Sequence, residues 1–308
     1  MNNQNKLKFD LTNNSTSEPL LADGVFSAAL LNSGTINTFD PILNAKDKVK
    51  LGIHSFGDVL QSASCSPSDQ GAGILSEKDV EVEAIDVYFT LCQRTLEQSF
   101  ISSRLAAGSN NDNFLPSDFQ SYIGEKLSEK IASDLEVVSA QGDTTSGSYP
   151  TNLTDGLEKE LLNDGDVVDV AGTTVDISNV IDEMTKVYDA IDARLAYKQD
   201  LAIYVSSNIA RAYRQALANS APEAYYNQKD LTLSFLDIEV IEYFGLSDDT
   251  MVAGQKSNFK LITDLMNDID SVLIIPQLSM TGKHQIVVSG SFKFKTSYVI
   301  GEDIVFYS

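Results

Sequence analysis

The side chains best suited to catalysis or metal binding are scarce in this sequence. Only two histidines occur, His54 and His284, and neither stands in a ligand-spaced cluster with cysteines or carboxylates. The two cysteines, Cys65 and Cys92, have a spacing that matches neither a zinc motif nor a disulfide framework. We therefore expect surface or strand histidines, free thiols, and no catalytic, cofactor or metal site.

Two segments match ligand-binding loops only in part. Residues 254–257 have the tail of a phosphate-binding loop, but Asp249 stands where that motif requires its first glycine. Asp164, Asp166 and Asp169 are spaced somewhat like calcium ligands, yet the sixth-position glycine and the twelfth-position glutamate of a calcium loop are missing. We interpret the first segment as a turn and the second as a solvated acidic loop.

Charge and composition narrow the class of protein. The chain has 44 acidic and 22 basic residues among 308, which gives a formal net charge of −22. Because affinity for nucleic acid depends on lysines and arginines that neutralise phosphates, nucleic-acid binding is not expected as the main role. A soluble acidic protein and a container that encloses DNA without binding it both fit this charge. A hydrophobic content of 43% predicts a folded chain, and no stretch approaches the ~20 apolar residues of a membrane span.

The first third of the sequence predicts an arm and a hairpin. Residues 1–45 are polar and turn-rich, with short apolar islands, and are typical of an extended N-terminal arm. Residues 46–56 and 80–91 have strand patterns, and the second alternation slips by one position near Ala84, as it would at a β-bulge. Between them, residues 57–79 are rich in Ser, Gly and Asp. A loop of this length is uncommon without a function.

A long helix is predicted next. Apolar side chains recur every four residues from Phe119 to Leu135, and Gly142 provides a stop signal. We predict a helix over residues 117–140 that buries Ile123, Leu127 and Ile131 together. Beyond it, we predict an α+β domain with strands at 167–170, 173–175, 201–205 and 231–244, helices at 180–193 and 209–217, a loop at 245–254, and further strands to the C-terminus.

Several segments in this order carry a resemblance that covers nearly the whole chain. They are Val82–Leu91, Leu115–Ile123, Gln141-Gly142-Asp143 followed by Gly156-Leu157, Leu201–Ser207, Ile238–Gly245, Met251–Asp264 and Ile286–Tyr307. Their order and their residue patterns resemble those of major capsid proteins of tailed double-stranded DNA bacteriophages of the Hong Kong 97 type. The sequence departs from that pattern at Gln141, where Asn is usual, and at Thr144, where a second Gly is usual.

The resemblance implies an α+β fold of the Hong Kong 97-like capsid type. Its parts would be an N-terminal arm (1–45), an extended hairpin loop with flanking strands (46–92), a peripheral domain (93–155) with a spine helix (117–140), an axial domain (156–250), and a return to the peripheral domain with closing strands (251–308). It also implies a subunit that is not an enzyme and that self-assembles into pentamers and hexamers. The residues expected at contacts between subunits are Leu20, Leu21, Leu30, Leu31, Gly71 and Gly73.

The implied product is an icosahedral head shell that encloses phage DNA without binding it specifically. Portal, scaffold and decoration proteins would be further partners. The scaffold would be a separate protein, because no N-terminal scaffolding segment is evident. The expected location is the virion capsid, with the host cytoplasm during assembly and no membrane association. Two alternatives remain open: an encapsulin-like cargo shell, and a non-viral α+β binding module, which would need a set of convergent polar groups.

Overall fold

The computed structural model describes most of the chain. Its described residues are 20–23, 34, 36–56, 60, 62–63, 65, 73–92, 117–196, 198–220, 232–264, 271–277 and 281–308. These residues form two compact units. The first unit takes in residues 1–25, 86–127 and 269–291, and the second unit takes in residues 26–85, 128–268 and 292–308. The elements are a mixture of helices and strands, so the predicted α+β class is confirmed.

The first unit contains a small antiparallel sheet. Strand β1 (Leu20–Asp23) pairs with β12 (Ser271–Pro276), which in turn pairs with the beginning of β13 (Gln285–Tyr298). Ile274 lies opposite Val288 across this ladder, and both side chains are buried. Strands are therefore present in the C-terminal region, as predicted, and β13 is 14 residues long.

The second unit is organised around a six-stranded sheet in the order β6-β14-β10-β7-β9-β8. Strand β7 lies in its interior and every residue of it is buried, as its unbroken apolar run requires. The strands are β6 (Val168–Val170), β7 (Leu201–Val205), β8 (Leu233–Phe235), β9 (Ile238–Glu242), β10 (Met251–Gln255) and β14 (Val305–Tyr307).

Two amphipathic helices complete the core of this sheet. Helix α3 (Val180–Ala190) and helix α4 (Ser207–Ser220) bury one face each in a cluster with the sheet strands. Met184 and Val187 from α3 and Ile209 from α4 are fully buried there. Among the described residues, no helix is long and apolar enough to cross a membrane.

The remaining elements include those that frame the candidate site. Strand β11 (Phe259–Thr263) pairs with the end of β13 and, in parallel, with β2 (Asp40–Ile42). Helix α2 (Leu157–Asn163) follows the long helix α1 (Ser117–Gln141). Strands β3 (Lys48–Phe56) and β4 (Gly73–Glu81) form a two-stranded ribbon, and β5 (Glu83–Cys92) follows directly.

The long helix agrees closely with its prediction. It ends at Gln141, one residue beyond the expected end. Ile131 is buried and Leu127 is half-buried, whereas the side chain of Ile123 lies outside the described residues. The strongest burial on α1 comes later than expected, at Leu135 and Val138.

Three other predictions about elements are wrong in part. Residues 173–175 are not a strand, because the Thr173 amide donates to the Tyr307 hydroxyl (3.0 Å) and not to a neighbouring strand. Residues 231–244 contain a tight turn between β8 and β9, where Leu236 and Asp237 have positive φ angles of 46° and 67°. The predicted loop at 245–254 holds most of β10, which lies between β14 and β7.

Candidate functional site

The most distinctive feature of the second unit is the ribbon formed by β3 and β4. Nine residue pairs are in register, from Lys48 opposite Glu81 to Phe56 opposite Gly73. Strand β4 begins at Gly73, so the two strands are connected by residues 57–72, and residues 73–79 of the predicted loop at 57–79 belong to β4. Lys48 pairs with Glu81, and Lys50 pairs with Glu77 (2.5 Å), on the exposed face. Such exposed pairs contribute little to stability, so they do not fix the position of the ribbon.

The predicted slip in the strand pattern has a structural cause. Strand pairing is interrupted at Val82, whose amide donates to the Asp47 carbonyl (2.9 Å). Val82 and Ile85 are both buried although they are three residues apart, while Glu83 between them is exposed. The change of phase therefore marks the end of the ribbon and the start of β5.

An apolar cluster anchors the inner face of the ribbon. Leu51 from β3 and Val80 from β4 are each 4% exposed and pack with Val82, Ala45 and Ile262. This cluster fixes the base of the ribbon to β11 and to the segment before β3. The distal part of the ribbon extends beyond the cluster.

Next to this apolar base lies a network of charged groups around Glu160 of α2. Lys295 of β13 is 7% exposed, and its Nζ lies 2.9 Å from Glu160 Oε1 and donates to the Asp155 carbonyl (2.6 Å). The Ser297 hydroxyl donates to Glu160 Oε2 (2.7 Å), and Lys78 Nζ lies 3.8 Å from the same oxygen. The ammonium of the buried Lys295 is thus paired with a carboxylate and hydrogen-bonded to a carbonyl, as burial of a charge requires.

Lys78 also contacts an aromatic ring. Its Nζ lies 3.3 Å from the ring centroid of Tyr298, whose hydroxyl donates to Asp164 Oδ2 (2.7 Å). Burial is the main cause that raises the pKa of Tyr298, and the Asp164 carboxylate raises it further. Burial also lowers the pKa of Lys78, against the opposing effects of Glu160 and Asp164.

Sequence reasoning missed the role of Lys78, although a signal was present. It shares the inner face of β4 with Val80, at the alternate position where the pattern expects an apolar residue. A charged residue on an apolar face indicates a buried partner, but the sequence does not tell which residue that partner is.

The residues predicted at subunit contacts are only partly described. Leu20 and Leu21 lie in β1 and pair with Ile274 and Leu273, so they form a strand of the first unit. Gly73 is the first residue of β4. Leu30, Leu31 and Gly71 lie outside the described residues. Between the two strands of the ribbon, Leu60 is 93% exposed, and the sequence prediction did not single it out.

The end of α1 forms a compact loop built on two glycines. The Gly142 amide donates to the Val138 carbonyl (3.1 Å), and the Gly156 amide donates to the Gly142 carbonyl (2.8 Å). A Cβ atom on Gly142 would lie 2.2 Å from the Thr154 carbonyl oxygen, so no larger residue fits. The resemblance rested partly on these two glycines, and the structure brings them into contact.

Lys159 holds the same loop together electrostatically. Its Nζ lies 2.5 Å from Asp143 Oδ1 and 2.7 Å from Asp155 Oδ1. The Lys159 ammonium and the hydrogen bonds from Thr145 lower the pKa of Asp143 to about 2. Thr144, which stands where the family usually has glycine, donates both its amide and its hydroxyl to Asp155. The departure from the family pattern is therefore accommodated by the loop.

Residues near the end of the predicted arm belong to the core. Phe39 is 3% exposed and its ring stacks on Phe259, with centroids 5.4 Å apart. It also makes edge contacts with Tyr204 and Tyr243. Ile36 is fully buried, and β2 adds a strand to β11. Ile36 and Phe39 therefore belong to the core, although the sequence prediction placed them in the arm at residues 1–45.

No group of three or more histidine, cysteine or acidic side chains within the described residues is placed to hold a metal ion. Asp164 is engaged by the Tyr298 hydroxyl and the Asp166 amide. Cys65 and Cys92 are exposed free thiols.

No protein-family model and no curated protein matches the sequence. Solved structures do match over nearly the full length. The capsid chain in the satellite phage P4 procapsid is 11% identical, with a TM-score of 0.59 over 92% of this chain and 96% of that chain. The capsid of the native GTA particle is 13% identical, with a TM-score of 0.57 over 97% and 95%.

A virus-like particle from Pyrococcus furiosus is 10% identical, with a TM-score of 0.53 over 92% of this chain and 96% of that chain. The likeness predicted from the order of elements is thus confirmed at the level of the fold. The chain has the fold of phage capsid proteins.

Proposed function

We propose that this chain is the major capsid protein of a tailed double-stranded DNA phage, a subunit that assembles into pentamers and hexamers of an icosahedral head shell. The observation that carries the proposal is the end-to-end likeness to the P4 procapsid chain, which covers more than nine-tenths of both chains. A fold alone does not fix a function. The ribbon of β3 and β4 provides the structural reason to extend the likeness to assembly.

The ribbon is suited to reach a neighbouring copy of the chain. Each strand has nine residues and therefore extends about 30 Å at the rise of a β-strand. The base is anchored by Leu51 and Val80, while Leu60 in the loop is almost fully exposed. Covering one leucine on a neighbour contributes about 1.5–3 kcal/mol. Repeated around a closed shell, many such modest contacts give a stable assembly.

Charge supports an enclosing role over a DNA-binding one. A net charge of −22 leaves few cations for phosphates, and Lys48, Lys50, Lys78, Lys159 and Lys295 are all paired with carboxylates of the same chain. A shell with this chemistry would enclose DNA without binding it specifically. In this proposal the chain carries out no catalysis, has portal, scaffold and decoration proteins as partners, and resides in the virion capsid after assembly in the host cytoplasm.

An encapsulin-like cargo shell is a second candidate, favoured by the likeness to the Pyrococcus furiosus particle. The contents of purified shells separate the two functions. Nuclease-resistant double-stranded DNA inside the shells indicates a phage head. Protein cargo without DNA indicates a cargo shell.

A single charge in the ribbon loop tests the assembly role. Replacing the exposed Leu60 by Asp should leave the fold intact but remove the shell-sized species in sedimentation velocity. Ser62→Asp is the matched control, because Ser62 is also exposed in this loop and the variant adds the same charge. Equal assembly of both variants would show that the loop does not contact a neighbour through Leu60.

A further inference from the structure

Lys78 occupies a special place on the ribbon. On β4, Val80 and Lys78 share the inner face; Val80 is buried and Lys78 is half-buried. Ser76, the next residue on that face, is exposed. Leu51, opposite Lys78, is buried. Lys78 is therefore the outermost described point at which β4 contacts the rest of the second unit.

The carboxylates that face Lys78 are already engaged by other groups. One carboxylate oxygen of Glu160 lies 2.9 Å from Lys295 Nζ, and the other accepts a hydrogen bond from the Ser297 hydroxyl (2.7 Å). The Asp164 carboxylate accepts a hydrogen bond from the Tyr298 hydroxyl (2.7 Å). Lys78 Nζ remains 3.8 Å from Glu160, beyond the length of a good hydrogen bond. Two lysines thus share one carboxylate, and Lys78 is the less closely bound.

The electrostatic environment of Lys78 is unfavourable for its charge. Burial is the largest influence and lowers its pKa, and the nearby Lys295 lowers it further. Glu160 and Asp164 act in the opposite direction and do not offset the burial. The remaining neighbour is the Tyr298 ring, which attracts the ammonium through its face. The docked ribbon therefore holds a cation that would be more stable in water.

We propose that Lys78 is a positioning residue that makes docking of the ribbon reversible: the apolar base stays packed, while the outer contact at Lys78 can be exchanged for a carboxylate of a neighbouring copy of the chain. The inference rests on the proposed function, because such a neighbour exists only in a shell. With 44 acidic residues on each copy, carboxylate partners are abundant. The exchange would let the same ribbon adopt different directions in pentamers and hexamers.

The sign of the pH dependence follows from proton linkage. The docked state binds the Lys78 proton less tightly than the released state, in which the pKa is that of an exposed lysine. Raising the pH through this window therefore favours docking. Lys78→Met removes the charge, so its ribbon should be docked at every pH. Lys78→Arg keeps the charge at every pH, so its ribbon should remain loosely docked.

The test uses the unassembled full-length chain. Spin labels are placed on Cys65 of the ribbon loop and on Leu162→Cys of α2, which is 61% exposed, with Cys92→Ser to remove the other thiol. Pulsed electron paramagnetic resonance then gives the distribution of distances between the labels. Lys48→Met serves as the control, because Lys48 lies on the exposed face of the ribbon.

With wild-type Lys78 we expect a broad distribution at pH 7 that narrows at pH 10. The Met variant should be narrow and the Arg variant broad at both pH values, and Lys48→Met should behave like the wild type. A Met variant broader than the wild type at pH 7, or a wild type unchanged by pH, would overturn the inference. Because no assembly is involved, these results can fail while shell formation succeeds, and the reverse.

Discussion

Replacement of Gly142 by alanine is the sharpest test of the loop at the end of α1. An added Cβ would lie 2.2 Å from the Thr154 carbonyl oxygen, 2.5 Å from the Val138 carbonyl oxygen and 2.8 Å from the Gly156 nitrogen. All three are backbone atoms, so no side-chain rotation can relieve the overlap. The backbone itself must move, and hydrogen bonds at Gly142 and Gly156 are lost.

Overpacking in a well-packed region typically costs about 1–3 kcal/mol, and a clash with rigid backbone atoms belongs at the upper end of that range. We therefore expect Gly142→Ala to lower the free energy of unfolding by about 3 kcal/mol. Gly147→Ala in the same loop is the matched control, since nothing lies within 4 Å of its added Cβ. That variant should change the free energy of unfolding by no more than about 0.5 kcal/mol.

Urea denaturation followed by circular dichroism measures both variants. Lower stability appears as a lower midpoint at an unchanged slope. If the two variants had the same midpoint, the close approach of Gly142 to Gly156 would be refuted. The assignment of this loop to the family pattern would then lose its main structural support.

Two further predictions concern the same unit. Lys159→Met should raise the pKa of Asp143 from about 2 towards its ordinary value, measured by carbon-13 titration, whereas Lys130→Met, which removes an exposed pair with Asp134, should not. Since the pKa of Asp143 is lowered in the folded state, its contribution to stability is present above pH ~4 and is lost as the pH falls towards 2. The Lys159→Met variant should therefore lose less stability than the wild type over that range. Phe39→Ala should cost about 3–5 kcal/mol because it empties an aromatic cluster, while Leu43→Ala at a position that is 36% exposed should cost much less. Equal melting temperatures for these two variants would place Phe39 outside the core.

Local patterns were sufficient to predict the elements that carry a strong periodic signal. The apolar run Leu201–Val205 forms an interior strand, and the segment before Gly142, in which apolar residues recur every four positions, forms the long helix. Strand β10 was not predicted, because Gly254 and the small or polar residues on either side of it interrupt the apolar pattern of the strand. Only the three-dimensional structure shows why a glycine stands at position 254: a Cβ there would lie 3.0 Å from the ring of Phe259.

The contacts that define the site could not be predicted because they join residues distant in sequence. Lys159 lies 16 residues from Asp143, and Lys78 lies far from Tyr298. The position of Phe39 in the core could not be predicted for the same reason. Phe39 follows a polar stretch, and only its packing against Phe259 and Tyr204 shows that it belongs to the core.

Electron microscopy of the purified full-length chain tests the central proposal most directly. A subunit with this fold, an anchored ribbon and an exposed Leu60 should form closed shells with pentameric and hexameric units. In a reconstruction of such shells, the loop at residues 57–72 should lie against a neighbouring copy. A chain that remained monomeric at every concentration, salt and pH tested, with and without co-expressed phage scaffold and portal proteins, would contradict the account.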